Sequence, residues 1–358
     1  MKDEVAIIGT DGLPARYGGF ETLIEQIAPR LARKFHLRIF CSSWKRTSKE
    51  SQGENDTFDL TYLRFRANGF QSVIYDAVSI FLARKVNIMV ILGPSAGFLF
   101  PLIRYLYKRK LIVHIDGLEW KRSQWGRLTR SLALHNEKMA CRYADVIVSD
   151  NKAITEYLRE SYPNIRTFEI AYGGDHAVVA KRTQAPNQKC VAYGLCRIVP
   201  ENNVSLILEA FAKTPNWNLR FWGNWQNSEY GRELTKKFGS LENIELLSPE
   251  YEQKKLSAKI SECCLYVHGH SLGGTNPSLV EAMYRGSNVA CFNNDFNTHT
   301  TGGLGLFFSD SDSLKVILDK YRTPSHHLKE SLKIREYAEQ HYTWEDVAVK
   351  YESLLRSV

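Results

Sequence analysis

The chain has 358 residues, 44% of them hydrophobic and 24% charged, with a formal net charge of +8. That length exceeds what one hydrophobic core usually serves, so two domains are expected, and the composition is that of a soluble globular enzyme. A membrane-spanning helix is not expected, because the longest apolar region, Met89 to Tyr107, is interrupted by Pro94, Pro101 and Arg104. Met1 to Glu4 is charged and Val5 to Gly9 is too short for a signal core, so no secretory leader is expected. The seven cysteines (41, 141, 190, 196, 263, 264, 291) lack Cys-x-x-Cys spacing and read as reduced, buried thiols of a cytosolic protein.

The first predicted strand is Val5 to Ile8. After it comes Gly9 to Glu21, GTDGLPARYGGFE. Gly-x-x-Gly with a proline-containing insertion fits a dinucleotide loop poorly. A phosphate or sugar contact at Gly18 and Gly19 fits better, beside the alternative that the glycines serve only turn geometry. A 3.6-residue period then puts Phe20, Leu23, Ile24, Ile27, Leu31 and Phe35 on one helix face. Strands are predicted at Leu37 to Cys41, Phe58 to Phe65, Ile88 to Leu92, Leu111 to Ile115 and Val146 to Ser149. The fifth strand leads into HIDGLEW, His114 to Trp120. Asp116 and Glu119 are candidates for polar substrate contacts or general base work, or Asp116 caps the turn. His114 alternates with Val113 and Ile115 and reads equally as a hydrogen-bonded strand histidine.

Gly173 to Lys189 reads as a linker. Beyond it the pattern restarts, with strands predicted at Cys190 to Tyr193, Leu219 to Trp222, Ile244 to Leu247, Cys264 to Val267 and Val289 to Phe292. Continuous apolar strands alternating with helices argue for parallel sheets covered on both faces, here twice over. In such sheets ligands sit beyond the carboxyl ends of the strands. Two loops of the second half matter on that ground. In YGLCRIVPENN, Tyr193 to Asn203, the Arg197 fork suits phosphate oxygens, or is a surface charge. In HGHSLGGTNPSLVEAMYRG, His268 to Gly286, Asn276 is a helix N-cap and Pro277 its first residue. A helix start offers unpaired N–H groups to a phosphate, and Glu281 offers acceptors to sugar hydroxyls. An ordinary capped helix is the other reading.

Asp310-Ser311-Asp312 matches a metal-binding Asp-x-Asp pattern but sits in a polar loop, where capping is expected. His268 and His270 lack nearby acidic ligands, and His326-His327 lies in a polar segment, so no metal site is expected. No Ser-His-Asp arrangement is apparent. A last helix is predicted from Trp344 to Leu355, capped by Thr343.

The charge is uneven. Met1 to Tyr172 carries 26 Lys and Arg against 18 Asp and Glu, whereas the remainder is balanced at 21 each. Basic clusters at Lys45-Arg46, Arg104 to Lys110 and Lys121 to Arg130 are interleaved with Trp44, Tyr105, Tyr107, Trp120 and Trp125. Cations mixed with aromatics suit an anionic membrane surface, alongside the alternatives of a solvated face or a nucleic-acid surface. No nucleic-acid module signature is visible, so peripheral membrane contact is the expectation and nucleic acid is not.

These motifs, in this order, resemble the retaining family 4 glycosyltransferases of the GT-B fold, and within them bacterial rhamnosyltransferases with a Gly-Leu-Pro-Ala-Arg-Tyr-Gly-Gly-Phe-Glu loop. Here that loop is Gly12 to Glu21. Asp116 to Arg122, Pro200 to Asn203 and Gly273 to Leu279 also match, so the resemblance spans nearly the whole chain. It implies an α/β protein with two Rossmann-like domains facing across a cleft. The acceptor-binding domain would comprise residues 1–172 plus a crossing-back helix at 344–358, and the nucleotide-sugar-binding domain residues 173–343. It implies Asp116, Glu119 and Arg197 as catalytic residues. It implies donor binding by Gly18, Gly19, Arg197, Asn202, Gly273, Gly274, Thr275, Asn276, Ser278, Leu279 and Glu281. Amides from Ser278 to Val280 would hold the diphosphate, and Glu281 the ribose. Asp116 stands where many members carry a histidine.

Two departures are visible. The wider family has a Glu where this chain has Gly273, and a Lys where it has Asn202. Both look like the rhamnosyltransferase subgroup and argue for a different sugar. The implied donor is dTDP-L-rhamnose. The implied acceptor is a sugar on a polyprenyl diphosphate, at the inner face of the cell membrane in surface polysaccharide assembly. No cofactor or metal is implied. Same-face attack and double displacement through Asp116 or Glu119 both remain open. So do two rival functions, a sugar-nucleotide epimerase of the same architecture and a catalytically silent partner in an assembly complex.

Overall fold

The computed structural model describes residues 2–15, 18–44, 57–67, 69, 71–122, 125–177, 190–321 and 325–358. Arg16 and Tyr17 of the first glycine loop, the Lys45-Arg46 cluster, His326-His327 as side chains and residues 178–189 of the expected linker lie outside the described residues. Contacts divide the chain into two units, Met1–Ala171 with Trp344–Val358, and Tyr172–Thr343.

The first unit is built on a seven-stranded sheet. Its strands are β1 (Glu4–Ile8), β2 (His36–Ser42), β3 (Asp59–Leu63), β4 (Ile88–Leu92), β5 (Lys110–Ile115), β6 (Val146–Ser149) and β7 (Thr167–Glu169). They run parallel in the order β3-β2-β1-β4-β5-β6-β7. All five residues of β4 are buried, as a parallel strand covered on both faces requires. The strand order reverses between β1 and β4, so the loops after these two strands flank the crevice where open α/β sheets take ligands. Helices α1 (Gly19–Leu31), α2 (Gln71–Leu82), α3 (Arg127–Tyr143) and α4 (Lys152–Ser161) lie between the strands. The helix predicted through Phe35 ends at Leu31, and Phe35 packs into the core from the turn beyond it.

The second unit has a six-stranded parallel sheet, order β10-β9-β8-β11-β12-β13. Its strands are β8 (Cys190–Leu195), β9 (Trp217–Trp222), β10 (Ile244–Leu247), β11 (Leu265–His268), β12 (Asn288–Phe292) and β13 (Leu306–Phe308). The intervening helices are α5 (Val204–Ala212), α6 (Glu229–Phe238), α7 (Gln253–Ile260), α8 (Pro277–Tyr284), α9 (Asp295–Thr301), α10 (Ser311–Lys320) and α11 (Ser325–His341). Trp217 is fully buried in its core, and its indole N–H donates to the Leu318 carbonyl at 2.7 Å. Asp310 caps α10, its Oδ1 accepting from the Ser313 amide at 2.7 Å. Short β7 and β13 escape sequence reading because three residues show no periodicity.

The last helix, α12 (Trp344–Arg356), belongs to the first unit and packs against α1. Arg30 pairs with Glu345 at 2.9 Å, and the Tyr351 hydroxyl meets His114 Nδ1 at 3.2 Å. No helix among the described residues is long and apolar enough to cross a membrane.

Candidate functional site

In the second unit the sequence Asn276-Pro277 starts α8 by local chemistry. The Asn276 side chain accepts from the Ser278 amide at 3.1 Å, and proline needs no acceptor at the first helical position. This cap changes the expected diphosphate contacts. The amides of Leu279 and Val280 donate to the Asn276 carbonyl at 3.1 and 3.2 Å. Ser278, Leu279 and Val280 therefore have their amides satisfied inside the helix start, and the Leu279 side chain is core. The amides of Gly273, Gly274 and Asn276 have no protein acceptor among the described residues. The open donors thus lie in the glycine turn itself. Gly273 has φ 138°, a conformation that disfavours any side chain, and the space beside it is open. Thr275 is buried beneath the turn.

The Arg197 loop is fastened to this turn. Asn202, where the resemblance leads one to expect a lysine, is buried and donates from Nδ2 to the Arg197 carbonyl at 2.7 Å. Its amide therefore shapes the loop instead of supplying a charge. Asn203 Nδ2 donates to the Gly269 carbonyl at 2.9 Å, and the Ser271 amide to the Glu201 carbonyl at 3.0 Å. The Arg197 side chain is exposed, with no acidic partner among the described residues.

Sequence reading missed Tyr266, which looks like an ordinary apolar strand residue. Its buried hydroxyl meets Ser278 Oγ at 2.8 Å and His268 Nδ1 at 3.2 Å, and donates to the Leu195 carbonyl at 3.4 Å. One phenol thus ties β8, β11 and the start of α8. His268 stacks on His270 with ring centroids 4.3 Å apart, and its buried Nε2 has no hydrogen-bond partner among the described residues.

Glu281 is held more tightly than a free ribose acceptor. His176 Nε2 lies 3.2 Å from Oε1, and Arg285 Nη2 lies 3.0 Å from Oε2. Arg285 also donates to Gln253 Oε1 at 2.7 Å. Burial alone would raise the Glu281 pKa, yet His176 and Arg285 hold it below the usual carboxylate value. Each oxygen keeps a further lone pair for a ligand hydroxyl.

In the first unit the glycine loop is drawn onto α1 by two carboxylates. Glu21 Oε1 accepts from the Asp11 amide at 2.7 Å and from Thr10 Oγ1 at 3.1 Å, while Glu25 Oε1 accepts from the Ala15 amide at 2.9 Å. Gly18 precedes the helix at φ 127°, and a Cβ there would collide with the Glu21 carboxylate. Burial raises the Glu21 pKa against these hydrogen bonds. A carboxylate already answers the helix start, so Gly18 and Gly19 are better suited to sugar hydroxyls than to a phosphate. After β5, Asp116 is exposed and Glu119 pairs with Arg122. Trp120 Nε1 donates to buried Glu137 at 3.1 Å, and Glu137 also accepts from Tyr157 at 2.7 Å and Tyr162 at 3.0 Å, which anchors that loop on α3 and α4.

The buried titratable groups make stability depend on pH. Burial pushes His114 down to about 3, and burial with His270 nearby pushes His268 well below its ordinary value. Below about pH 6.5 the unfolded chain takes up protons that these folded imidazoles refuse. Stability should therefore fall from about pH 6.5 toward pH 3, by up to about 1.4 kcal/mol per pH unit for each ring. Asp76 acts oppositely. Burial lifts it to about 7 despite the Ser95 hydroxyl it accepts, so its effect is to lower stability as pH rises from about 4 to 7. His114→Gln should flatten the acid limb of Tm against pH. An unchanged limb in that variant would remove His114 from the account.

Residues 179–320 match the family model described as glycosyl transferases group 1, and residues 2–175 match one described as a domain of unknown function (DUF1972). The match makes residues 179–320 similar to a glycosyl transferases group 1 domain. Arg197, Asn202, the 273–279 turn and Glu281 all fall inside this group 1 domain. Sucrose-phosphate synthase from Thermosynechococcus elongatus superposes with a TM-score of 0.82 at 14% identity, over 99% of both chains. HepE from Anabaena in complex with UDP-glucose gives 0.74 at 14% identity, over 99% of this chain and 100% of that one. A glycosyltransferase from Rickettsia africae gives 0.72 at 12% identity, over 99% and 98%. The whole chain therefore has the GT-B fold of two Rossmann-like domains, of which the group 1 domain is the second. No curated protein matches the sequence.

Proposed function

We propose that this glycosyltransferase-fold protein is a retaining rhamnosyltransferase. It moves L-rhamnose from dTDP-L-rhamnose onto a sugar carried by a polyprenyl diphosphate in bacterial surface polysaccharide assembly. The carrying observation is that the loop bearing exposed Arg197 is hydrogen-bonded, through Glu201 and Asn203, to Gly269 and Ser271, the segment that leads into the open amides of the 273–276 turn. Together they form a preorganised positive surface for a leaving nucleoside diphosphate. The second unit takes the donor, and the first, with residues 344–358, the acceptor. Glu281 accepts from the ribose through its remaining lone pairs, and Gly18 and Gly19 approach the transferred sugar. Open space at Gly273, where the wider family has a carboxylate, suits a differently recognised sugar. Attack occurs on the face the diphosphate leaves, and a leaving phosphate oxygen takes the acceptor proton. Glu119 is held by Arg122 and is a poor nucleophile for double displacement. The excess of cations before Tyr172 keeps the protein peripheral at the anionic inner face of the cell membrane, with nucleic acid no partner.

Transfer is expected to need no divalent metal. Asp310 is committed to its helix cap and Asp312 pairs with Lys213 at 2.7 Å, so the Asp-x-Asp run has other work. Activity should persist in EDTA, whereas complete loss restored by Mg²⁺ or Mn²⁺ would refute metal independence. Donor identity is read by calorimetry with dTDP-L-rhamnose and UDP-glucose. Tighter binding of dTDP-L-rhamnose supports the reading, and preference for UDP-glucose would replace it.

A further inference from the structure

One face of the first unit combines exposed apolar side chains with a dense positive charge. The segment after β4 forms a π-helix at Leu102–Tyr107, ending in left-handed Lys108. It lies along α3. A Cβ on Gly97 would press on the Asn136 backbone, and the Tyr105 and Tyr143 rings meet edge-on at 5.9 Å. Leu128, Leu132, Asn136 and Tyr143 share one stripe of α3 by their spacing. That stripe meets the π-helix at Tyr143 and the 3-10 turn Gly97–Leu99 at Asn136, and Leu132 and Leu128 continue it one and two turns further along α3. Tyr105, Leu106, Leu128 and Leu132 are each 55% to 75% exposed, and Phe98 joins them. Large apolar side chains exposed together mark an interaction site.

The surrounding charge identifies the partner. Residues 97–110 and 125–143 carry eight Lys and Arg against one acid, Glu137, and that acid is buried. Asp145, just beyond, pairs with Arg104 at 2.5 Å and leaves the face strongly cationic. Protein surfaces seldom offer so uniform a complement, whereas an anionic bilayer accepts cations at its headgroups and apolar side chains below them.

We infer that the π-helix segment and the exposed stripe of α3 dock on an anionic lipid surface, with Tyr105, Leu106, Leu128 and Leu132 entering the headgroup boundary. The inference rests on the membrane reading above and gives it a face. Cations act while the ionic atmosphere is thin, and about 1 M salt shortens their reach to roughly 3 Å. Apolar insertion persists in such salt, so the two contributions separate.

The test sediments the full chain with vesicles of phosphatidylcholine alone or with one quarter phosphatidylglycerol, at low salt and in 1 M NaCl. Wild type should bind the anionic vesicles and retain a fraction in high salt. Leu106→Asp with Leu132→Asp should bind at least tenfold more weakly and lose the salt-resistant fraction, with an unchanged thermal melt. Val316→Asp, on an exposed position of the second unit, should bind as wild type. Equal binding by the double variant and wild type would overturn this face while leaving membrane association standing. No vesicle binding by wild type would overturn both. A wild-type dimer that the double variant splits, with vesicle binding unaltered, would assign the face to a second copy of the chain and overturn the lipid assignment.

Discussion

Arg197→Ala should lower turnover on the order of a hundredfold or more while leaving the melt unchanged. The guanidinium is exposed and makes no structural ion pair among the described residues, so its removal leaves no buried group stranded. Its loop is held by Asn202 and Asn203 independently of the side chain. The loss therefore reports on charge at the leaving diphosphate and falls mainly on kcat. Arg197→Lys keeps the charge without the planar fork and should recover part of the rate. Near-normal turnover by a folded Arg197→Ala protein would take Arg197 out of the mechanism.

Glu281→Ala should act in a different way, on stability first. It strands the Arg285 guanidinium, which is 5% exposed at its side chain, with Gln253 as its remaining partner among the described residues. Removing one partner of a buried pair costs about 3–5 kcal/mol. For a unit of this size that is a fall in Tm of roughly 10 °C. Glu281→Gln with Arg285→Met removes both charges and should return much of that stability. Donor affinity should stay weakened in the double variant if Glu281 accepts from the ribose. Full donor affinity there would make Glu281 a purely structural residue.

What the sequence reveals divides along the range of the interactions involved. Strand cores such as Ile88–Leu92 are legible because burial on both faces leaves a continuous apolar run. The Asn276-Pro277 helix start is legible because capping is decided within a few residues. That same cap is why amides at Ser278 to Val280 are closed to a ligand, a consequence visible only once Asn276 is seen to accept all three. His176, Arg285 and Tyr266 carry no local signal, because their roles arise when distant segments pack together. Asn202 reads as a lost lysine in sequence and as a loop anchor in structure. Glu21 and Glu25 look like helix-surface acids until the glycine loop is seen to fold onto them.

The most direct measurement is transfer itself. The full chain is incubated in EDTA with dTDP-L-rhamnose and a polyprenyl-diphosphate-linked sugar, with release of nucleoside diphosphate followed and the new linkage read by NMR. The expected result is acceptor-dependent release of dTDP with the donor's anomeric configuration kept in the product. An inverted linkage would contradict retention, and an epimerised nucleotide sugar without transfer would make the protein an epimerase. Absence of both release and epimerisation across a panel of nucleotide sugars and lipid-linked acceptors would contradict an enzymatic role and leave a silent assembly partner.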